Sequence, residues 1–328
     1  MEKIKVGVVG VGYLGQYHAQ KYSMLPGVEL IGVVDIDQAR ALEIAERFNT
    51  NAYFDYSKIL NKTNAVSIAV PTILHYRVAQ DFLNHGIDIL LEKPITTTIE
   101  EADSLIETAE KKDLIFQAGH LERYNSAIVA IDEILNNPMF IESHRLSFFT
   151  ERAADIDVVL DLMIHDIDII LKFVCSEIKR IDAVGIPVIS QNVDIANARI
   201  TFANGCVANL TASRISEKTM RKIRIFQPDA YISIDFDSKK VGIYKKVDNH
   251  GGDIALPKIV MNSVRIEETD SLEEEVKSFV ESVATRTPPL VSCYDGKRAI
   301  SVALQILNKI KEKETNYADF YGQSQGSI

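Results

Sequence analysis

Three groups of residues in this chain have types and spacings suited to chemistry. Gly10, Gly12 and Gly15 form GxGxxG, with Tyr13 and Leu14 inside the same turn, directly behind the apolar run Lys5 to Val9. In that setting the first glycine permits a tight turn, the second lets backbone approach a pyrophosphate, and the third lets helix pack on strand. Free N–H groups at the helix N-terminus then receive the phosphates. Asp35 closes the next apolar run about twenty residues on, where a carboxylate accepts hydrogen bonds from an adenosine ribose. Such a carboxylate repels a 2′-phosphate, and Ile36 and Asp37 supply no cation, so the pattern favours NAD over NADP. A plain strand-to-helix turn with Asp35 capping the next helix is the competing reading.

The second group lies where a parallel sheet places its chemistry, at the carboxyl ends of strands. It comprises Val70-Pro71-Thr72-Ile73-Leu74-His75 and Leu91-Glu92-Lys93-Pro94. Pro94 biases Lys93 toward extended backbone, and a lysine at a strand end can hydrogen-bond a substrate hydroxyl and stabilise the charge left when its proton departs. The third group is Asp161 to Asp168. On a helix Asp161 and His165, four apart, share one face. Imidazole suits proton abstraction near neutral pH, and a carboxylate beside it raises its basicity. The alternative for this segment is a polar helix face carrying a satisfied histidine. Asp166 and Asp168 are expected to cap or face solvent. His165 with Asp161 or Asp168 lacks a clear third and fourth metal ligand, so no metal is expected.

These groups need elements to hold them. Ile4 to Val9, Glu29 to Val34, Ala65 to Val70, Ile87 to Leu91 and Leu114 to Ala118 read as near-continuous apolar strands alternating with helices, as a doubly wound parallel sheet requires. Beyond about residue 140 the texture is α+β. A helical stretch over Val159 to Phe173 precedes alternating runs at Ala196 to Phe202, Cys206 to Ala212, Arg221 to Phe226, Tyr231 to Phe236 and Val241 to Lys246. Turns at Asn204-Gly205 and Asp237-Ser238 separate them like neighbouring antiparallel strands. Ser271 to Ala284 and Asp295 to Lys313 read as amphipathic helices, and Gly322 to Ile328 as a polar tail. The division expected is 1–120 and 121–328, with the last helix packing back on the first domain.

A length of 328 residues suits two domains. A net charge of -10 without long charge blocks disfavours nucleic acid and anionic membrane as partners and fits a small-molecule ligand. Cys175, Cys206 and Cys293 are few and widely spaced, which points to neither disulfide framework nor thiolate zinc site. With no signal-peptide pattern and no apolar run of about 18 residues, the expected location is the cytoplasm.

Taken together, Gly10-x-Gly12-x-x-Gly15, Glu92-Lys93-Pro94 and Asp161-x-x-x-His165 resemble the glucose-fructose oxidoreductase / inositol dehydrogenase family (Gfo/Idh/MocA) along essentially the whole chain. The resemblance implies a Rossmann domain, a second domain with a large, mostly antiparallel open sheet that makes homodimers or homotetramers, and oxidation of a secondary alcohol on a sugar or cyclitol. It makes Lys93, Asp161 and His165 the catalytic trio, with His165 as base. A narrower likeness, carried by Gly119 to Asn125, Asp161 to Asp166 and Asp194 to Ile232, is to the branch containing UDP-N-acetylglucosamine 3-dehydrogenases. That implies a nucleotide-sugar substrate on the lipid A route, with inositol or a free sugar as the alternative. Its diphosphate needs cations, for which Arg152, Arg214, Lys218, Arg221 and Arg224 are candidates. Arg123 and Asn125 are expected beside cofactor or substrate, although Ser126 stands where related chains often carry proline.

Overall fold

A computed structural model describes residues 3–150, 156–238, 240–247, 258–264 and 269–324. Arg152 and the end of the expected tail, 325–328, lie outside the described residues. The chain divides into two compact units, Met1–Asn125 with Thr269–Ile300, and Ser126–Glu268 with Ser301–Ile328. The first unit therefore gains a returning segment that a single cut at residue 120 does not include.

The first unit holds strands β1 (Ile4–Val9), β2 (Val28–Val34), β3 (Asn51–Tyr53), β4 (Ala65–Ile68), β5 (Asp88–Glu92) and β6 (Phe116–Gly119). They form one sheet in the order β3-β2-β1-β4-β5-β6, parallel throughout. The strand order reverses at β1 and β4, which opens a crevice at their carboxyl ends. Four helices connect the strands: α1 (Gly15–Met24), α2 (Gln38–Arg47), α3 (His75–Asn84) and α4 (Ile99–Lys111). Two buried clusters cover the sheet. One joins Val66, Ile68, Phe82, Ile89 and Leu105, and the other joins Val6, Val8, Tyr22, Leu90 and Phe279. This is why β4 and β5 are buried at every position. β3 escapes sequence reading because three residues are too few to show a period.

After the short helix α5 (Ser126–Ile131), the second unit contributes β7 (Phe140–Leu146), a π-helical turn at Val159–Met163, α6 (Ile164–Phe173), β8 (Ile178–Ile186), β9 (Ile195–Phe202), β10 (Val207–Ser213), β11 (Met220–Gln227), β12 (Ala230–Asp235), β13 (Lys240–Val247) and β14 (Lys258–Val264). Their sheet order is β14-β13-β12-β11-β7-β10-β9-β8. The expected hairpins β9–β10 and β12–β13 are antiparallel neighbours, and Gly205 takes the positive φ of 90° that the first turn needs. One expectation fails. β10 and β11 are not neighbours, because β7 lies between them, parallel to β10 and antiparallel to β11. On β7, Ile141, Ser143 and Arg145 are buried while Phe140, Glu142 and His144 are partly exposed. Two of those three buried residues are polar, so the alternation does not read as apolar against polar. The chain closes with α7 (Ser271–Thr285) and α8 (Cys293–Ser324). α8 thus runs past its expected end at Lys313 and into the polar stretch.

Arg214 pins the second unit. It is 2% exposed, with Nε donating to Asp194 Oδ1 at 2.8 Å, Nη1 to the Ile156 carbonyl at 2.6 Å and Nη2 to Ser190 Oγ at 2.9 Å. Burial by itself would raise the Asp194 carboxyl. Donation from the Ser190, Val188 and Ile189 N–H groups and from Arg214 outweighs it and holds the group well below its usual 3.8. Because the folded value is depressed, the stabilisation is complete above about pH 4 and is lost as pH falls further. Asp194→Asn should cost about 3 to 5 kcal/mol at pH 7 by leaving a buried guanidinium without its counter-charge. Urea melts of parent and variant at pH 7 and pH 3 should show the gap between them narrowing in acid.

Candidate active site

The glycine turn starts at the end of β1, where Gly10 has φ 84° and a Cβ would lie 2.7 Å from the Ala69 carbonyl oxygen. A Cβ on Gly15 would stand 1.8 Å from the Gly10 carbonyl oxygen, whereas one on Gly12 would meet nothing within 4 Å. Gly10 and Gly15 therefore serve the turn and the helix packing, while Gly12 borders open space that a phosphate can approach. Tyr13 is 65% exposed at the same place, Leu14 precedes the first residue of α1, and the ring of Tyr13 meets that of Tyr17 edge-on at 6.0 Å.

Asp35, at the end of β2, is buried. Its Oδ2 accepts from Val11 N at 3.0 Å and its Oδ1 from Asp37 N at 2.9 Å, so the carboxylate is locked onto the glycine turn. Asp37 takes the capping role, accepting from Arg40 N at the start of α2. The expectation that no cation stands nearby is corrected. Arg40 places Nη1 3.4 Å from Asp35 Oδ2 and Nη2 3.2 Å from Asp37 Oδ2. It lies one helical turn beyond the residues inspected in sequence, and folding of α2 brings it back. Two carboxylates still face one guanidinium, so the corner stays hostile to a 2′-phosphate. These residues fit NAD.

At the neighbouring strand ends, Pro71 and Thr72 are accessible while His75 is 1% exposed. Both His75 ring nitrogens face backbone carbonyls at 2.8 Å, those of Pro94 and Val70. Its role is to tie the loop after β4 to the Lys93-Pro94 turn, whose peptide is cis, rather than to present imidazole to a cofactor. Glu92 is also buried, accepting from Lys93 N at 3.3 Å and meeting His18 Nε2 at 3.1 Å. Lys93 itself is half-buried. Arg123 donates to Asp295 at 3.1 Å and Asn125 to Glu122 at 3.2 Å, so both are engaged within this unit.

Asp161 and His165 belong to the second unit and are half-buried. The π-helical turn that holds Asp161 gives way to α6 immediately before His165. A wider turn rotates less per residue, so residues four apart remain on one face. Asp166 and Asp168 do not face solvent, since both are 2% exposed. Asp166 Oδ1 accepts from Arg145 Nε at 3.1 Å and Nη2 at 2.8 Å, an acidic residue in the first turn of α6 bound to β7, which fixes the helix beside His165. Arg145 was not discernible as its partner because a pairing across 21 residues leaves no local pattern.

Among the diphosphate candidates, Arg214 is withdrawn because its guanidinium is buried against Asp194. Arg224 pairs with Glu142 at 2.9 Å and Arg221 approaches Asp237 at 3.9 Å. Lys218 is exposed in the turn between β10 and β11.

A dinucleotide turn bound to a strand-end carboxylate on a β3-β2-β1-β4-β5-β6 sheet defines an NAD-binding oxidoreductase. The model of the Gfo/Idh/MocA oxidoreductase family with NAD-binding Rossmann fold matches residues 4–120, and that of the family's C-terminal domain matches residues 133–232. The chain belongs to the Gfo/Idh/MocA family and is an NAD-dependent dehydrogenase acting on CH–OH groups. It is 36% identical over 307 residues to a UDP-N-acetylglucosamine 3-dehydrogenase of Acidithiobacillus ferrooxidans, covering 93% of this chain and 97% of that one. A solved structure of that enzyme superposes with a TM-score of 0.89 over 95% of this chain and 99% of the other, at 35% identity. A myo-inositol 2-dehydrogenase of Thermotoga maritima is 24% identical over 95% of this chain and 98% of its own. Among the described residues no helix is long and apolar enough to cross a membrane.

The glycine geometry separates folding from binding. Gly12→Ala should keep the parent melting temperature yet weaken NADH binding at least about tenfold by crowding the pyrophosphate. Gly15→Ala should lose both. Thermal melts with fluorescence titration of NADH distinguish the two outcomes.

Proposed function

We propose that this dehydrogenase oxidises the 3-hydroxyl of UDP-N-acetylglucosamine to the 3-keto sugar, a product ready for amination on a lipid A precursor route. The similarity carrying this reading is the 36% identity to an enzyme of that name across 93% of the chain. NAD, when bound, supplies the hydride acceptor. In this reading His165 takes the hydroxyl proton, Asp161 raises its basicity and Lys93 steadies the developing oxyanion. With Arg214 engaged in the fold, Arg152 and Lys218 are the cations assigned to the diphosphate, and Asn125 is assigned to the substrate. The inositol alternative draws on the 24% identical relative.

The reading includes a cytoplasmic enzyme, supported by three cysteines that remain free although Cys175 is exposed. It also includes a homodimer or homotetramer formed through the open sheet. Phe140, Phe226, Tyr231 and Tyr244 stand side by side on that sheet with successive ring centroids 5.6, 4.8 and 5.2 Å apart. Such a row of half-buried rings suits contact with a second copy. Light scattering should give a multiple of the 36.6 kDa chain mass, reduced by Tyr231→Glu.

The substrate test is NADH formation with UDP-N-acetylglucosamine, inositols and free sugars at equal concentration. The nucleotide sugar should lead; equal or better turnover of an inositol would replace it. Lys93→Met and His165→Ala should each lower kcat by about 10²–10⁴, and parent-like turnover in both would remove the assigned mechanism.

A further inference from the structure

Behind Lys93, a chain of polar groups runs through the interior of the first unit. Tyr22 Oη lies 2.7 Å from Ser67 Oγ, Ser67 Oγ 3.1 Å from His18 Nδ1, and His18 Nε2 3.1 Å from Glu92 Oε1, while Lys93 N donates to Glu92 Oε2. His18 and Ser67 are wholly buried. One assignment of protons satisfies every contact. Burial pushes the Tyr22 phenol up, so it donates to Ser67. Ser67 in turn can donate to Nδ1, which leaves Nε2–H to donate to the Glu92 carboxyl.

Glu275, from α7, closes this arrangement. It is 0% exposed, and neither carboxyl oxygen has a hydrogen-bond partner among the described residues. One atom each from His18, Glu92 and Glu275 lie within 4.8 Å of one another. The position of α7 is not accidental. Gln117 Nε2 donates to the Glu275 carbonyl at 3.0 Å, Lys21 pairs with Asp270 at 2.7 Å, and Tyr124 donates to Ser278 at 3.3 Å. Room for Glu92 comes from Gly119, paired opposite it in β6, where a Cβ would lie 2.9 Å from the Glu92 Cα and 3.1 Å from its Oε1.

We propose that His18 and Glu275 are positioning residues for Lys93: together they enclose the Glu92 carboxylate and, through its bond to the Lys93 N–H, hold the strand end that carries the lysine. Two buried carboxyls this close do not both ionise. Glu92 is met by two donors, whereas Glu275 has none and keeps a proton. Burial, and then the Glu92 charge, push the Glu275 carboxyl up. As a neutral acid it can offer its O–H toward Glu92 through one water. Any tilt of Glu92 moves the Lys93 backbone, and misplacement of a catalytic group by about 1 Å costs up to about a hundredfold in rate.

The inference rests on the catalytic role of Lys93, so Lys93→Met is measured alongside. Glu275→Ala and His18→Asn should lower kcat about tenfold with KM for NAD within about twofold. Glu275→Gln, neutral and isosteric, should restore kcat to within about twofold of the parent. An infrared carbonyl band of a protonated acid at pH 7 should be present in the parent and absent from Glu275→Gln, a readout that needs neither turnover nor substrate. Parent-like kcat in His18→Asn and Glu275→Ala while Lys93→Met is inactive would overturn the positioning role alone. Full activity of Lys93→Met would instead remove the reading beneath it. Stoichiometric metal in the purified protein, lost in Glu275→Gln, would show the cluster to be a metal site and overturn the proposal.

Discussion

The contact on which the first unit depends is between two stretches of main chain: α1 begins so close to the end of β1 that Gly15 has no room for a side chain against the Gly10 carbonyl. That approach brings Val11 N onto Asp35, which joins the glycine turn to the acid at the end of β2. It also sets α1 against the sheet with His18 and Tyr22 facing Ser67 on β4. One backbone contact therefore aligns the phosphate end of the cofactor site with the interior network behind Lys93. Larger residues at Gly15 would separate these together, since close-packed interiors do not give gradually.

Charge burial in the second unit is handled by pairing. Arg214 with Asp194 and Arg145 with Asp166 are nearly inaccessible pairs, each supported by backbone or by a second donor. Such pairs are expensive to desolvate and add little net stability, but they are costly to break. They hold particular segments: Arg214 gathers the stretch from Ile156 to Asp194, and Arg145 seats the first turn of α6, next to His165. Glu275, in the first unit, is a buried carboxyl whose oxygens have no hydrogen-bond partner among the described residues. Neutrality is the least costly state for it.

Much of the cofactor half was legible because its signals are local. GxGxxG, the strand before it and Asp35 lie within one strand, helix and strand, and near-continuous apolar runs identified five of the six parallel strands, of which β4, β5 and β6 are buried at every position. The Glu92-Lys93-Pro94 and Asp161 to His165 segments were legible as motifs. Their surroundings were not. Asp166 and Asp168 look like surface charges in sequence, Arg214 looks like an available cation, and His75 like a cofactor contact. For Asp166, Arg214 and His75 the partner comes from another element, and in the helix the burial exceeds what an amphipathic pattern shows. β7 was missed for the same reason, since its inward positions include Ser143 and Arg145.

By itself, then, the sequence determined the dinucleotide turn, the NAD-directed acid and the alternation of strands and helices, because these follow from spacing within about forty residues and from burial periodicity, and it identified the family through motifs spread from Gly10 to His165. Tertiary structure alone decided which charges are paired inside the protein. It placed β7 between β10 and β11, returned Arg40 to Asp35, and brought Glu275 from α7 to Glu92 on β5. The physical reason is that a buried polar group is defined by its partners, and partners separated by scores of residues leave no periodic trace in the chain.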